Sequence, residues 1–300
     1  MARRRDVVIG VIIAGAFLFV FGMMVLMIIG LGTSEGEVSF GSLGGSVGVV
    51  PMYGVMDEST GRPVIETLER WRDTRSIKAV VVHVNSPGGT TAIAQEIHDE
   101  ILRVRDKKPV IISMAEVAAS GGYYISCAAD KIVANPGTVT GSIGVIISFH
   151  TLGGAFDKLG IGTETIKSGE FKDVGNYSRE MTEDEKLMLQ AVVTDSYEQF
   201  VEAVVQGRQM DREAVYAVAD GSIYTGLQAR NLGLVDSLGG LNEAVRLAGN
   251  MVGLGDEPDV VRPREKRRSY VTDLLSGLLG DLGQQVSEAS VGPRLMYLYK

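Results

Sequence analysis

Cysteine occurs once in the 300 residues, at Cys127, so the chain can close no internal disulfide, and no cluster of cysteines and histidines offers a metal site. Cys127 falls on an apolar helical segment, where a thiol is buried and inert. Histidine occurs three times, at His83 within a strand pattern, His98 in an amphipathic helix and His150 at a strand end. A Ser-His-Asp triad has little to build on, since a lone histidine near an apolar face is more often structural than catalytic. Basic residues are outnumbered, 29 Lys and Arg against 37 Asp and Glu, giving a net charge of −8 and a pI near 5.1. That balance suits solubility and argues against nucleic acid as a partner. No Gly-Lys-Ser/Thr follows the Gly88-Gly89 turn, which excludes a P-loop. Neither an internal repeat nor a low-complexity array is needed to explain the 38 glycines, which fall mostly in turns and in one tether.

One long apolar run is present, from Val7 to Leu31. It exceeds the roughly 20 residues that a helix needs to span a bilayer. Arg3-Arg4-Arg5 stands immediately before it, so the positive-inside rule places the N-terminus in the cytoplasm and the remainder outside. A cleaved signal peptide is the rival reading, but the run is longer than a signal core of about 7–15 residues and no Ala-x-Ala pattern follows. The expectation is an uncleaved anchor in residues 1–32 and a flexible Gly/Ser tether in 33–46.

From Ser46 strands and helices alternate: a strand at 46–54, helix 63–72, strand 78–84, helix 91–104, strand 109–114, helix 121–129, and strands at 131–134 and 145–149. Such alternation predicts an α/β sheet with parallel strands. Thr182-Glu-Asp-Glu185 reads as a capping box opening a helix with Leu189, Val193, Tyr197, Val201 and Val204 in a stripe, as core or as subunit interface. Residues 47–255 are expected to form one domain, ample for a single core. In 256–300 the run Arg262-Pro-Arg-Glu-Lys-Arg-Arg268 precedes Tyr270, Leu274, Leu275, Leu278, Leu279 and Leu282 at helical spacing. This tail reads as a solvated linker with a frayed helix, or as an amphipathic segment on a membrane or a neighbouring subunit.

Two junctions carry candidate chemistry. The strand Val110–Met114 leads through Ala118-Ala-Ser120 into Gly121-Gly-Tyr-Tyr124. A serine at such a strand-to-helix junction has its hydroxyl held clear of the backbone beside helix N-terminal amides, as a nucleophile requires, although Ser is also a favoured N-cap. The strand before Asn85-Ser-Pro-Gly88-Gly89 ends in two glycines whose N–H groups can point into a cavity, or which make a tight turn. Gly137-Thr-Val-Thr-Gly-Ser142-Ile-Gly-Val145 is a third small-residue segment.

With Lys167-Ser-Gly-Glu-Phe-Lys-Asp173 and Ile223-Tyr-Thr-Gly-Leu-Gln-Ala229 through Gly233-Leu-Val-Asp236, these segments occur in an order and spacing that resembles the signal peptide peptidase A family. Those proteins are membrane-anchored serine peptidases related to the Clp peptidase and crotonase fold, and the resemblance covers roughly Val47 to Ala248. It implies repeated ββα units behind one transmembrane helix, Ser120 as nucleophile and Lys172 as general base. It also implies an oxyanion hole from the N–H of Gly89 with help from Gly121, and Ser142 holding the lysine amine. Neither metal nor cofactor is implied. The implied substrates are hydrophobic membrane-derived peptides such as spent signal peptides, cut by an endopeptidase in a homo-oligomeric ring. In short members the ring brings serine and lysine together from neighbouring protomers.

The residues alone leave Lys167 and Lys172 as competing bases. Either works only when neutral, so its pKa must fall from about 10.4 toward 7–8, which corresponds to roughly 4 kcal/mol. Phe171 and Val174 would assist that fall by desolvation, whereas Glu170 and Asp173 would oppose it if turned inward. Two other functions fit the same glycine-rich junctions: a crotonase-like acyl-CoA enzyme, and a non-catalytic membrane scaffold that keeps the fold for assembly.

Overall fold

The computed structural model describes residues 45–263 and the short segment 296–298. The predicted span, nearly all of the tether and the leucine-rich part of the tail lie outside the described residues. Among the described residues no helix is long and apolar enough to cross a membrane.

Strand β1 (Ser46–Tyr53) is followed by helix α1 (Glu58–Asp73), β2 (Ile77–Ser86), the short β3 (Gly88–Thr90), α2 (Thr91–Arg105) and β4 (Val110–Ala119). After β4 come α3 (Gly121–Ser126), β5 (Lys131–Ala134) and β6 (Val139–Gly141). β1, β2 and β4 lie side by side and parallel, with Val50 opposite Val82 and Val82 opposite Ile112. β4 then forks: Ile111–Met114 pairs with β5, while Val117–Ala119 pairs with β6.

β2 and β4 are rich in Val, Ile and Ala, and β1 carries Val47, Val49 and Val50, because both faces of the sheet are covered. Val80, Val82, Val84, Ile112 and Met114 pack under α1, α2 and α3. The alternate positions Val47, Val49, Ala79, Val81 and Ile111 meet Ala244 and Ala248 of a later helix, Leu241–Met251, on the other side. The result is a mixed α/β sheet with helices on both faces, consistent with a Clp peptidase/crotonase-like fold.

Several boundaries differ from the sequence reading for identifiable reasons. α1 begins at Glu58 rather than residue 63, because Asp57 accepts the Ser59 and Thr60 amides and forms a capping box with Thr60. Pro63 therefore sits inside the helix. Residues 145–149 form no extended strand, only a single bridge at Ile146: β6, which they follow, already has β4 on one side and the antiparallel β7 (Ile223–Thr225) on the other. The chain instead leaves the sheet as an arm over residues 145–181, carrying α4 (Gly153–Leu159) and a 3-10 turn at Glu170–Asp173. The arm returns at α5 (Glu183–Arg208), where Thr182 and Glu185 form the expected capping box. The α5 stripe is divided. Val201 and Val204 are in the core, Leu189, Val193 and Tyr197 are half-buried, and the flanking Leu187 and Val192 are exposed.

Candidate active site

β2 and β4 are parallel neighbours, so the loops after them emerge at the same edge, the position where open α/β sheets bind ligands. The Asn85–Gly89 loop and the Ala119–Tyr124 junction therefore meet. Two glycine pairs make the approach possible. A Cβ on Gly122 would lie 2.9 Å from the Ser86 carbonyl oxygen, and one on Gly121 would lie 3.2 Å from Gly88 Cα and 3.3 Å from the Gly89 nitrogen. Gly88 has φ +100°, a conformation that side chains resist. A Cβ on Gly89 would run into the backbone of Met56, whose N–H donates to the Gly88 carbonyl at 2.8 Å. The tight turn and the amide cradle are thus one structure, with Gly89 and Gly121 backbones in contact.

Ser120 stands at this meeting point with 1% of its surface exposed. Its backbone adopts φ 54°, ψ −116°, an unfavourable conformation for any residue with a side chain. Strain of this sort costs on the order of 1–3 kcal/mol and persists where the surroundings enforce it. Here the enforcing bonds are Ser120 N–H to the Gly141 carbonyl and Tyr124 N–H to the Ser120 carbonyl, both 2.8 Å. Ser120 occupies the N-cap position of α3, yet its hydroxyl makes no capping hydrogen bond. The capping explanation for this serine therefore lacks its defining contact.

Ser142, just beyond β6, is also held at positive φ, 50°, with its N–H donating to the Ser222 carbonyl at 2.7 Å. It lines a cavity of about 350 Å³ whose walls include Val145, Val193, Tyr197 and Asp220.

The two candidate lysines lie in different surroundings. Lys167 Nζ donates to Asp173 Oδ1 at 2.6 Å and to the Glu170 carbonyl at 2.8 Å. Asp173 also accepts from Arg179 Nε at 3.1 Å, and Arg179 forks onto both Glu185 oxygens. Arg179 first, then Lys167, hold the Asp173 carboxyl far below the usual range. Arg179 and the Thr182 N–H draw Glu185 down to about 2. Lys172 is exposed on the 3-10 turn, and its ammonium forms no ion pair among the described residues. Within one chain no hydrogen bond links the buried Ser120 with Lys172.

None of the three histidines hydrogen-bonds to Ser120. His83 Nδ1 lies 3.1 Å from both the carbonyl and the hydroxyl oxygen of Ser113. His98 packs its ring on Tyr124 at 4.9 Å, and His150 is exposed. Burial pushes the imidazoles of His83 and His98 toward the neutral form. Cys127 is buried, and burial pushes its thiol up to about 12, so it stays protonated.

Sequence reasoning passed over Ser86. Its buried hydroxyl accepts the Gly88 N–H at 3.1 Å and fixes the turn. Its place in Asn-Ser-Pro-Gly, a run of turn-forming residues, was the available signal.

Comparison with known proteins adds an independent observation. The model for Peptidase family S49 matches residues 103–255, and that for Clp protease matches residues 46–138. A Synechocystis sp. protein that carries a protease name is 39% identical over 212 residues, covering 71% of this chain and 76% of its own length. "Serine protease SPPA, chloroplastic" of Arabidopsis thaliana is 32% identical over 83% of this chain. "Protease 4" of Haemophilus influenzae is 34% identical over 78% of it. The matched region spans 38% of the length of each of the last two.

Proposed function

Because the chain belongs to peptidase family S49, that of signal peptide peptidase A, and is a serine peptidase, we propose that Ser120 is its nucleophile and Lys172 its general base. The single observation that carries this reading is Ser120 itself: a strained, non-capping serine directly against the facing Gly88-Gly89 and Gly121-Gly122 pairs. Attack by Ser120 Oγ on a peptide carbonyl places negative charge on the carbonyl oxygen, where the N–H groups of Gly89 and Gly121 would stabilise it. The amine leaves with a proton supplied by the lysine. Water, deprotonated by the same amine, then releases the acyl group from Ser120. Ser142 would orient Lys172.

We further propose that the lysine comes from a neighbouring protomer of a homo-oligomeric ring. The arm carrying Lys172 supports this, since Leu152, Leu159, Ile161, Ile166 and Phe171 on it are exposed, Ile166 by 95%. Apolar surface of that extent marks an interaction site. The anchor in residues 1–32 would hold the domain on the extracytoplasmic face of the cell membrane, where hydrophobic peptides left in the bilayer, including cleaved signal peptides, are at hand. Membership in a peptidase family favours this chemistry over acyl-CoA binding or a purely structural role.

The deciding experiment is labelling by a fluorophosphonate serine probe. Wild-type protein should be labelled and hydrolyse peptides, and folded Ser120→Ala should do neither. Turnover at the wild-type rate in purified Ser120→Ala would refute the assignment.

A further inference from the structure

Ser86 ends β2 completely buried, a polar residue at the head of the glycine turn. Its backbone is paired with Ala118, two residues before Ser120, and its carbonyl oxygen would lie 2.9 Å from a Cβ on Gly122. Ser86 is therefore fixed to the strand and the junction that present the candidate nucleophile. Its hydroxyl reaches the other way, accepting the Gly88 N–H at 3.1 Å and lying 3.4 Å from the Gly88 carbonyl oxygen. A serine hydroxyl bonded to the main-chain N–H two residues on closes a local turn. Pro87, between the two, has a fixed φ and no N–H of its own. The far side of the turn is held as firmly. The Met56 N–H donates to the Gly88 carbonyl and the Met56 carbonyl accepts the Thr90 N–H, both at 2.8 Å. The Gly88 C=O and the Gly89 N–H point in opposite directions across one planar trans peptide, so fixing the carbonyl on Met56 aims the Gly89 N–H away from it. Glycine has the widest backbone freedom of any residue, and an unheld Gly88 could turn this plane. The bond to Ser86 holds the peptide plane before Gly88, and the bond to Met56 holds the one after it.

We propose that Ser86 is a positioning residue for the oxyanion hole: its hydroxyl holds the Gly88–Gly89 turn in register with Ser120, so that the Gly89 N–H meets the charge formed in the transition state. This rests on the reading of Ser120 as nucleophile and Gly89 as donor. Ser86 itself touches no substrate, because its hydroxyl is buried and already engaged by Gly88. Without that hydroxyl the Gly88 N–H loses its acceptor inside the protein, and the turn relaxes to find another. The aim of the Gly89 N–H matters most where negative charge develops, so the effect falls on kcat rather than on KM.

Ser86→Thr and Ser86→Val isolate the hydroxyl. The two new side chains have nearly the same shape, and both suit the extended backbone of a strand end before proline. Crowding by the added methyl groups is common to both. In purified full-length protein in detergent micelles, Ser86→Val should have a kcat about tenfold or more below that of Ser86→Thr at similar KM, since outright loss of one oxyanion donor is worth about 10²–10³-fold. Ser86→Ala, which adds no volume, should fall below wild type by a like factor. The pH dependence of kcat should keep its midpoint in all three, because the base is untouched. A peptide aldehyde, which adds to Ser120 and places its oxygen in the hole, should lose affinity in step with kcat, while the matching peptide alcohol should bind every variant alike. Equal kcat in the Thr and Val variants, whether high or low, would overturn the proposal, as would a lower Tm in Ser86→Ala with kcat unchanged. Parallel weakening of aldehyde and alcohol would also overturn it, since a disordered cleft loses both. Turnover by Ser120→Ala would remove the catalytic reading on which the proposal rests. An inactive Ser120→Ala with equal Thr and Val variants would remove the role of Ser86 alone.

Discussion

Lys167 and Asp173 are joined by a 2.6 Å ion pair, whereas Lys172, one residue before that aspartate, stands clear of it. The two lysines that the sequence offers as alternative bases thus lie in different surroundings. The Lys167 ammonium is tied to the Asp173 carboxylate and the Glu170 carbonyl of its own arm, which fits a role in holding the turn and agrees with the proposal of Lys172 as the base. Lys172→Arg should lose about 10²–10⁴-fold in kcat, the range of a general base, because a guanidinium stays protonated. Lys167→Ala should retain activity within several-fold. Steady-state kinetics on both variants checks the assignment, and the opposite pattern would transfer the role to Lys167.

Gly89 offers a second test. Its missing Cβ is the space occupied by Met56 backbone, so Gly89→Ala must shift the turn from its place beside Ser120. Loss of one oxyanion donor is worth about 10²–10³-fold in kcat. The expected result is a drop of at least that size together with a lower Tm. Gly137→Ala, with nothing within 4 Å of the new methyl, should change neither. Wild-type kcat in Gly89→Ala would remove Gly89 from the proposed hole.

The central sheet was legible because β2 and β4 are long β-branched runs, and because glycine pairs mark where each ends. The helix cap at Thr182 was legible for the same reason, its chemistry being local. Val145-Ile-Ile-Ser-Phe149 looked like a strand by the same criterion and is not one. Propensity describes the segment alone, whereas pairing depends on an edge that β7, some eighty residues later, already fills. The antiparallel pairing of Met296–Leu298 with β3 was illegible too. Tyr297 lies in a tail whose visible pattern is helical, and nothing local to it announces a pocket formed by Tyr124 and Phe200. Local rules gave the junctions that hold Ser120, while contacts across long sequence separation escaped them.

The Asp173–Arg179–Glu185 cluster makes the arm sensitive to acid. Both carboxyls titrate lower when folded than the roughly 3.9 and 4.3 of free Asp and Glu. Their contribution is therefore fully present above about pH 4.5 and is lost as pH falls toward about 2. Hydrogen exchange of peptides spanning residues 167–186 should accelerate across that window, relative to the central strands. Arg179→Ala should show fast exchange already at pH 5. Uniform acid sensitivity along the whole domain would mean that the cluster does not hold the arm locally.

The arm also decides how a complete site could arise. Lys172 is exposed on it and Ser120 is buried at the N-terminus of α3, with no hydrogen bond between them in one chain, which favours a dyad assembled across a subunit boundary. Ser120→Ala and Lys172→Ala chains are each inactive under this arrangement. In a randomly mixed ring, a site is rebuilt wherever a chain with intact Ser120 meets a neighbour with intact Lys172. With equal amounts that is roughly a quarter of the sites, because a head-to-tail interface pairs two different surfaces. Co-expressing the two chains with different affinity tags and isolating only rings that carry both gives the material. Peptidase activity near a quarter of wild type is the expected reading. Activity no higher than either mutant alone, in rings verified as mixed, would place serine and lysine within one chain and require the arm to fold back over α3.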